Sequence, residues 1–206
     1  MADRVQSLVS TTETGSLRKR GRHKTGRAER PADEAAVHEL HVLKTLSGQT
    51  VEVISTDAEG RLVLCDALAY SLRYRPKAIV DLATLTGACV VALGDYVSGI
   101  MGNDEALLRR VEEASTKTGE KVWRLPLWEE YFDYLKSDTA DFRNVGTRAG
   151  GAIIGGIFLS KFVEKTPWVH LDIAGPANIE KEKPYMPRGG TGVGVRLLVQ
   201  MLRDWK

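Results

Sequence analysis

The sequence predicts an α/β protein whose central sheet is mixed, largely parallel and sandwiched by helices. Short apolar and β-branched runs, typical of strands, alternate with stretches whose apolar residues have helical spacing. This alternation is typical of α/β proteins. The run at 78–83 is almost continuously apolar, which indicates a strand covered on both faces. With 206 residues, 43% of them hydrophobic, the chain can form one domain with a sizeable core.

The first predicted elements lie on either side of a charged segment. Residues 42–54 form a lead-in and a strand that ends in β-branched residues. A helix is expected over 61–73 and must end before Pro76. The apolar strand at 78–83 follows, and the apolar, glycine-containing stretch 90–101 indicates a further strand.

The second half of the chain begins with a predicted helix. Asn103 or Asp104 can cap it, and it runs to about Lys117, where Gly119 ends it. The elements expected after it are a strand at 123–127, a short amphipathic helix at 128–136, a polar loop at 141–151, an apolar helix at 150–163, a strand at 168–174 and a terminal helix. The glycines at 189–194 lack the spacing of a phosphate-binding loop and indicate a turn into that last helix.

Asp57, Glu59 and Arg61 form the most informative pattern in the sequence. In an extended segment, residues at i, i+2 and i+4 point to the same face. Two carboxylates together can hold divalent cations, and a neighbouring arginine can hold a small anion. Charged residues between a strand and a helix occupy the usual place of ligand sites in α/β sheets. The alternative is a solvated face on which the charges neutralise one another.

Two further polar residues fall inside predicted strands. Asp81 interrupts an apolar run, and we expect it to make a structural hydrogen bond rather than to act in catalysis. His170 alternates with apolar neighbours, and no ligand cluster surrounds it in sequence. A structural histidine is therefore the preferred interpretation.

Composition limits the compartment and the partners. Cys65 and Cys89 lie in apolar stretches without metal-ligand spacing, which is typical of buried thiols in a reducing compartment. No apolar run has membrane-spanning length, and the first residues lack an apolar signal core. These observations favour a cytoplasmic protein without a membrane partner.

The net charge of +2 arises from residues 1–40, which hold eight basic and six acidic residues. Seven of the basic residues fall within 16–30, a density that could mark a nucleic-acid-binding arm. No aromatic residue is interleaved, which argues against nucleic acid. The other interpretations are a disordered, solvated tail and out-of-frame sequence.

The string Ser-Thr-Asp-Ala-Glu-Gly-Arg-Leu at 55–62 resembles the signature of the leucyl aminopeptidase (cytosol aminopeptidase) family, which has Asn in place of Ser55. Four later blocks resemble the same family in the same order. They are Val-Asp-Leu-Ala-Thr-Leu-Thr-Gly-Ala at 80–88, Asp-Phe-Arg-Asn-Val-Gly at 141–146, Trp-Val-His-Leu-Asp-Ile-Ala-Gly at 168–175 and Thr-Gly-Val-Gly-Val-Arg at 191–196. The resemblance covers residues 41–206 and leaves 1–40 as a separate segment.

The resemblance implies a metal-dependent aminopeptidase that releases N-terminal amino acids, with a leucine-type preference, from peptides. Asp57 and Glu59 would hold two divalent metal ions, which could be manganese, zinc or magnesium, and a water that bridges these ions would attack the peptide bond. Arg61 would hold a bicarbonate that acts as general base, and the backbone around Leu85 and Gly87 would help to bind this anion and the substrate. The family resemblance also implies a homo-oligomer, typically a hexamer.

The family has further motifs upstream of its signature, and they supply a lysine and more metal ligands. Their sequences, Val-Gly-Lys-Gly, Asp-Ser-Gly-Gly and Asp-Met-Gly-Gly, do not occur in this sequence. We therefore expect a partial catalytic domain with weak metal binding and impaired activity. The alternative is a non-catalytic subunit, or a gene remnant, that assembles with full-length relatives.

Overall fold

The computed structural model describes residues 41–182, 184 and 187–205. The expectations for residues 1–40, a separate segment and a basic arm, lie outside the described residues and remain predictions.

The largest sheet has four strands in the order β3-β7-β4-β5. The strands of the described residues are β1 Val42–Lys44, β2 Thr50–Glu52, β3 Ile79–Ala83, β4 Ser98–Gly102, β5 Val122–Arg124, β6 Phe142–Arg143, β7 Trp168–Asp172, β8 Asn178–Ile179 and β9 Gly189–Gly190. β3 pairs with β7 in parallel, β7 with β4 antiparallel, and β4 with β5 in parallel. The prediction of a mixed, largely parallel sheet is confirmed.

Helices cover both faces of this sheet. They are α1 Glu59–Ser71, α2 Gly87–Leu93, α3 Glu105–Thr118, α4 Gly151–Ser160 and α5 Val195–Arg203. On one face, Leu68 of α1 and Phe158 of α4 pack into one buried cluster with Trp168 of β7. On the other face, Val111 of α3 and Met201 of α5 share a second cluster with β7 residues. The predicted sandwich is therefore present.

Strand β3 contributes side chains to both clusters, as expected for a strand covered on both faces. Ile79 packs on the α1 and α4 side, whereas Val80 and Leu82 pack on the α3 and α5 side. Both ends of β3 bond to the residues that flank β7, since Ile79 N donates to Pro167 O at 2.8 Å and Ala83 O accepts from Ile173 N at 2.9 Å. Within the described residues β3 forms one edge of the four-stranded sheet.

A smaller sheet carries the segment that leads to the charged motif. β2 pairs with β1 antiparallel and with β6 in parallel, which places Glu52 opposite Arg143. Arg143 Nε lies 3.1 Å from the Glu52 carboxylate, and Ser137 donates to the same carboxylate oxygen at 2.6 Å. These bonds lower the pKa of Glu52, with Ser137 as the largest cause. Arg143 thus has a structural role.

The helix bounds differ from expectation in three places. The helix predicted to begin at residue 61 begins at Glu59 and follows a 3₁₀ turn at Thr56–Ala58. The stretch expected to form one strand over 90–101 instead divides between the end of α2 and strand β4. The amphipathic helix expected at 128–136 is a 3₁₀ helix, Glu129–Leu135, and another 3₁₀ turn, Leu72–Tyr74, follows α1.

Helix α3 matches its prediction. Asp104 caps it by accepting from Leu107 N at 2.7 Å, and Gly119 ends it with a φ of 72°. Both cysteines are buried, as the apolar surroundings predicted. Burial raises the pKa of Cys65 to about 12 and that of Cys89 to about 11.

Candidate functional site

Asp57 and Glu59 are both exposed but do not lie on one extended strand. Asp57 belongs to the 3₁₀ turn Thr56–Ala58, and Glu59 is the first residue of α1. The expectation that Asp57, Glu59 and Arg61 project together from an extended segment is therefore wrong. A helical backbone turns successive residues by about 100°, so residues two apart face different directions.

Arg61 lies on the inner side of α1 and is only 8% exposed. Its Nη1 donates to the backbone oxygen of Asn144 at 2.8 Å, and its guanidinium carbon lies 6.0 Å from the Phe158 ring centroid. Arg61 forms none of the ion pairs found among the described residues. Burial lowers its pKa to about 10, and the charge of Asp172 partly offsets this effect. Arg61 is thus a buried cation to which no carboxylate of the described residues binds directly.

Asn144 fixes the backbone just before the charged motif. Its Oδ1 accepts from Ile54 N at 2.8 Å and Ser55 N at 3.3 Å, and its Nδ2 donates to Ser55 O at 2.7 Å. Its side chain is fully buried, and its backbone carbonyl receives the Arg61 bond described above. One residue from a distant loop therefore sets both the position of the motif and the direction of Arg61.

Leu85, Thr86 and Gly87 form the turn between β3 and α2. Leu85 N donates to Asp172 Oδ1 at 3.1 Å, so this amide already has an acceptor. Thr86 caps α2 by accepting from Cys89 N at 3.0 Å, and Gly87 is the exposed first residue of that helix. The amides of a first helical turn have no partner within the helix, so Gly87 is the better placed of the two predicted residues to meet an anion.

Gly155 of α4 shows that this turn and Arg61 are neighbours. A Cβ atom at Gly155 would lie 3.1 Å from Leu85 Cδ2, 3.1 Å from Thr86 Cγ2 and 3.8 Å from Arg61 Nη2. The structure thus brings Arg61 next to the Leu85–Gly87 turn, although these residues are more than twenty positions apart in sequence.

Asp57 and Glu59 carry the two carboxylates that the sequence predicted as metal ligands. Their oxygen atoms suit divalent ions such as manganese and magnesium. Two side chains do not complete a coordination sphere, because even zinc takes four ligands. In the part of the chain that the structure describes, no three His, Cys, Asp or Glu side chains are grouped so that they could hold a metal ion.

Asp81 and His170 have the structural roles that the sequence favoured. Asp81 accepts from Trp168 Nε1 at 2.6 Å and lies 2.6 Å from His170 Nδ1. Burial alone would lower the pKa of His170, but the adjacent Asp81 carboxylate outweighs this effect and the pKa is raised. The pair belongs to the buried layer between the sheet and α4.

Sequence reasoning did not single out Asp172 and underestimated Asn144. Asp172 is fully buried at the carboxyl end of β7, where its position in a parallel pair could have signalled a site residue. Asn144 lies in the segment predicted as a polar loop, and its side chain fixes the backbone before the motif. No helix among the described residues has the length and apolar character needed to cross a membrane.

The fold and the site define an α/β protein that carries carboxylates and a buried arginine where a strand passes into a helix. The chain belongs to the cytosol aminopeptidase family, since the model of that family's catalytic domain matches residues 9–199. The resemblance found in the sequence is thereby confirmed.

Individual relatives agree with this assignment. The chain is 56% identical over 165 residues to a probable cytosol aminopeptidase of Geotalea uraniireducens (strain Rf4), covering 80% of this chain and 33% of the relative. It is 53% identical over 181 residues to one of Syntrophobacter fumaroxidans (strain DSM 10017 / MPOB), covering 87% and 34%. The chain thus spans about a third of the length of these curated relatives.

Solved structures of similar proteins show the same fold. A mutant of tomato leucine aminopeptidase has a TM-score of 0.77 and 43% identity, over 85% of this chain and 34% of that one. The bottromycin maturation enzyme BotP in complex with Mn has a TM-score of 0.79 and 40% identity, over 83% of this chain and 39% of that one.

Proposed function

We propose that this chain forms part of the catalytic domain of a metal-dependent aminopeptidase that releases N-terminal amino acids, with a leucine-type preference, from peptides. The observation that carries the proposal is the buried Arg61 on the first turn of α1, which follows the exposed residues Asp57 and Glu59 in sequence. Membership of the cytosol aminopeptidase family supports it.

In this proposal Asp57 and Glu59 are metal ligands. Manganese is the first candidate, since BotP was solved in complex with Mn, and zinc and magnesium are the others. A bound divalent ion lowers the pKa of its water and polarises the substrate carbonyl. No three ligand side chains are grouped together among the described residues, so in this proposal the remaining ligands come from outside them.

Arg61 is the proposed binding residue for a small anion, bicarbonate, that would act as general base. A buried charge is costly unless it is paired, and no carboxylate of the described residues pairs with this guanidinium. An anion would supply the missing charge, and a planar one can accept two parallel N–H bonds from arginine. Gly87 N–H would contact this anion from the α2 side, and Leu85 would anchor the turn.

Peptides with a free amino terminus are the proposed substrates, and a homo-oligomer, a hexamer as in the family, is the proposed assembly. A cytoplasmic location is proposed because the relatives are named cytosol aminopeptidases.

The test is manganese binding measured by isothermal titration calorimetry, together with hydrolysis of leucine p-nitroanilide. We expect Asp57→Ala and Glu59→Ala to abolish manganese binding. Glu113→Ala is the matched control, because Glu113 is an exposed helical glutamate on α3, at the other face of the sheet. Equal manganese binding by Glu59→Ala and the control would overturn the metal assignment.

A non-catalytic subunit is the second candidate function. The incomplete ligand set of the described residues favours it. Manganese binding without turnover, combined with co-purification with a co-expressed full-length relative, would select this candidate. Turnover that Asp57→Ala removes would exclude it.

A further inference from the structure

We propose that Asp172 is a positioning residue that holds the Leu85–Gly87 turn against Arg61 and thereby shapes the anion site. The inference rests on the proposed function, because it concerns the same anion. It adds a residue that neither touches the metal ligands nor belongs to the charged motif.

The hydrogen bonds of Asp172 converge on this turn. Its Oδ1 accepts from Leu85 N at 3.1 Å and Thr86 N at 3.4 Å, and its Oδ2 accepts from Thr86 Oγ1 at 2.7 Å. Oδ1 also accepts from Ala174 N at 3.2 Å, which fixes the carboxylate relative to its own strand. A single side chain thus orders both the backbone and the capping hydroxyl of the turn.

The position of Asp172 in the sheet explains this reach. It is the last residue of β7 and lies opposite Ala83, the last residue of β3, in the parallel register. The carboxyl ends of parallel neighbouring strands meet at one edge, so a carboxylate there meets the chain as it leaves β3. The Asp172 side chain is fully buried, and water cannot replace it as an acceptor without rearrangement.

The bond to Thr86 extends the effect into α2. Thr86 Oγ1 donates its proton to Asp172, so the lone pairs of this oxygen point toward Cys89 N. The hydroxyl oxygen accepts from Cys89 N at 3.0 Å and thereby caps α2. The start of α2, where Gly87 lies, is therefore oriented through Asp172. Loss of the carboxylate would leave three donors of the turn without an acceptor.

Asp172 holds the turn next to Arg61 without forming an ion pair with it. A Cβ atom at Gly155 would lie 3.1 Å from Leu85 Cδ2 and 3.8 Å from Arg61 Nη2, so the turn and the guanidinium adjoin the same point of α4. Among the described residues Arg61 forms no ion pair with any carboxylate, which leaves the guanidinium able to accept an external anion. Asp172 thus places one wall of the site, and Arg61 forms the other.

Four variants of the full chain test the inference. Asp172→Asn keeps an acceptor for the backbone amides but loses the charge, whereas Asp172→Ala loses both. Because neither variant has the charge, the difference between them reports the hydrogen bonds alone. Asp141→Asn is the matched control, since Asp141 accepts from Thr50 N at 2.6 Å and Thr50 Oγ1 at 2.8 Å in the small sheet. Thr86→Val removes only the hydroxyl.

The first measurement is amide hydrogen exchange at Leu85, Thr86 and Cys89. We expect at least tenfold faster exchange in Asp172→Ala than in Asp172→Asn, and wild-type rates in the control. If Asp172→Ala does not fold, faster exchange of Leu85 in Thr86→Val, which loses the bond to Asp172 Oδ2, supports the inference, and an unchanged rate of Leu85 overturns it. Unchanged exchange of Leu85 and Thr86 in a folded Asp172→Ala would overturn it as well.

The second measurement is titration with sodium bicarbonate, followed through the NMR signal of Arg61 Nε–H. We expect Asp172→Asn to bind bicarbonate at least tenfold more tightly than Asp172→Ala does. Equal affinities of these two variants, with wild-type binding that Arg61→Lys weakens, would overturn the positioning role and leave the proposed anion site intact. Absence of binding in the wild-type protein would overturn the anion site itself.

Discussion

Asp81 and His170 face each other at 2.6 Å on two neighbouring parallel strands, in direct register and both buried. The Asp81 carboxylate also receives the indole N–H of Trp168, so both its oxygen atoms have a donor. The pair joins β3 to β7 by a charged contact in the buried layer between the sheet and α4.

His170→Gln is expected to reduce the free energy of unfolding by about 3 kcal/mol at pH 6, since breaking a buried pair leaves a carboxylate without its charged partner. The pKa of His170 is raised in the folded state. The charge contribution is therefore fully present below the unfolded pKa, about 6.5, and is lost as pH rises through the raised folded value. Urea unfolding of both proteins between pH 5 and pH 9 checks this. A difference that grows with pH would contradict the assignment.

Glu120 is expected to stabilise the start of α5. Its buried carboxylate accepts from Gly194 N at 3.1 Å and Leu197 N at 2.9 Å. Glu120→Ala should lower the free energy of unfolding by about 2–3 kcal/mol, since it leaves two helix amides unpaired in a buried place. Urea unfolding measures the loss, and Arg196→Ala should cost less than about 1 kcal/mol, since that side chain is 71% exposed. Equal losses in the two variants would contradict this role.

Asn144→Ala is expected to affect both stability and metal binding. It removes three hydrogen bonds to residues 54–55, which should cost about 2–4 kcal/mol. Since this backbone leads directly to Asp57, manganese affinity should fall several-fold in the folded variant. Isothermal titration calorimetry without urea, at a low temperature where the variant is folded, measures that affinity. Wild-type manganese affinity in a destabilised Asn144→Ala protein would show that the hydrogen bonds of Asn144 do not position the metal ligands.

Gly155→Ala is expected to crowd the anion site. The new Cβ would lie 3.1 Å from Leu85 and Thr86 side-chain atoms and would force them to move. We expect weaker bicarbonate binding and a loss of about 1–2 kcal/mol from crowding. Gly60→Ala is the matched control, because a Cβ there meets nothing within 4 Å and alanine favours a helix by about 1 kcal/mol. Bicarbonate affinity that responds equally in both variants would contradict the location of the site.

Capping residues close in sequence allowed α3 to be predicted. Asp104 caps the start of α3 through Leu107 N, three residues on, and Gly119 ends the helix through Ser115 O, four residues back. Both ends could therefore be located from the sequence. Thr86 caps α2 in the same way, but the apolar residues after it also fit a strand, and the helix was not predicted. The period of so short an apolar run does not separate the two structures.

The charged motif could be found in the sequence, but its geometry could not. Ala58 at the N-cap position of α1 makes no side-chain capping bond, so nothing local indicates that the helix begins at Glu59. The contacts that fix this region come from Asn144, about 90 positions away. Asp172 likewise reaches Leu85 across 87 positions. Contacts of this range depend on the sheet order, which local patterns do not determine.

The two buried thiols give the molecule its own reporters of local opening. Cys65 lies in α1 and Cys89 in α2, and their pKa values of about 12 and about 11 leave almost no thiolate at neutral pH. Because both thiols are also buried, a thiol reagent reacts with them only after the structure opens locally, and the reaction rate measures how often each place opens. Cys89 adjoins the turn that Asp172 holds, and Cys65 lies within the core cluster that α1 helps to form. The reaction rates of the two thiols therefore compare local opening at the anion site with local opening of the core.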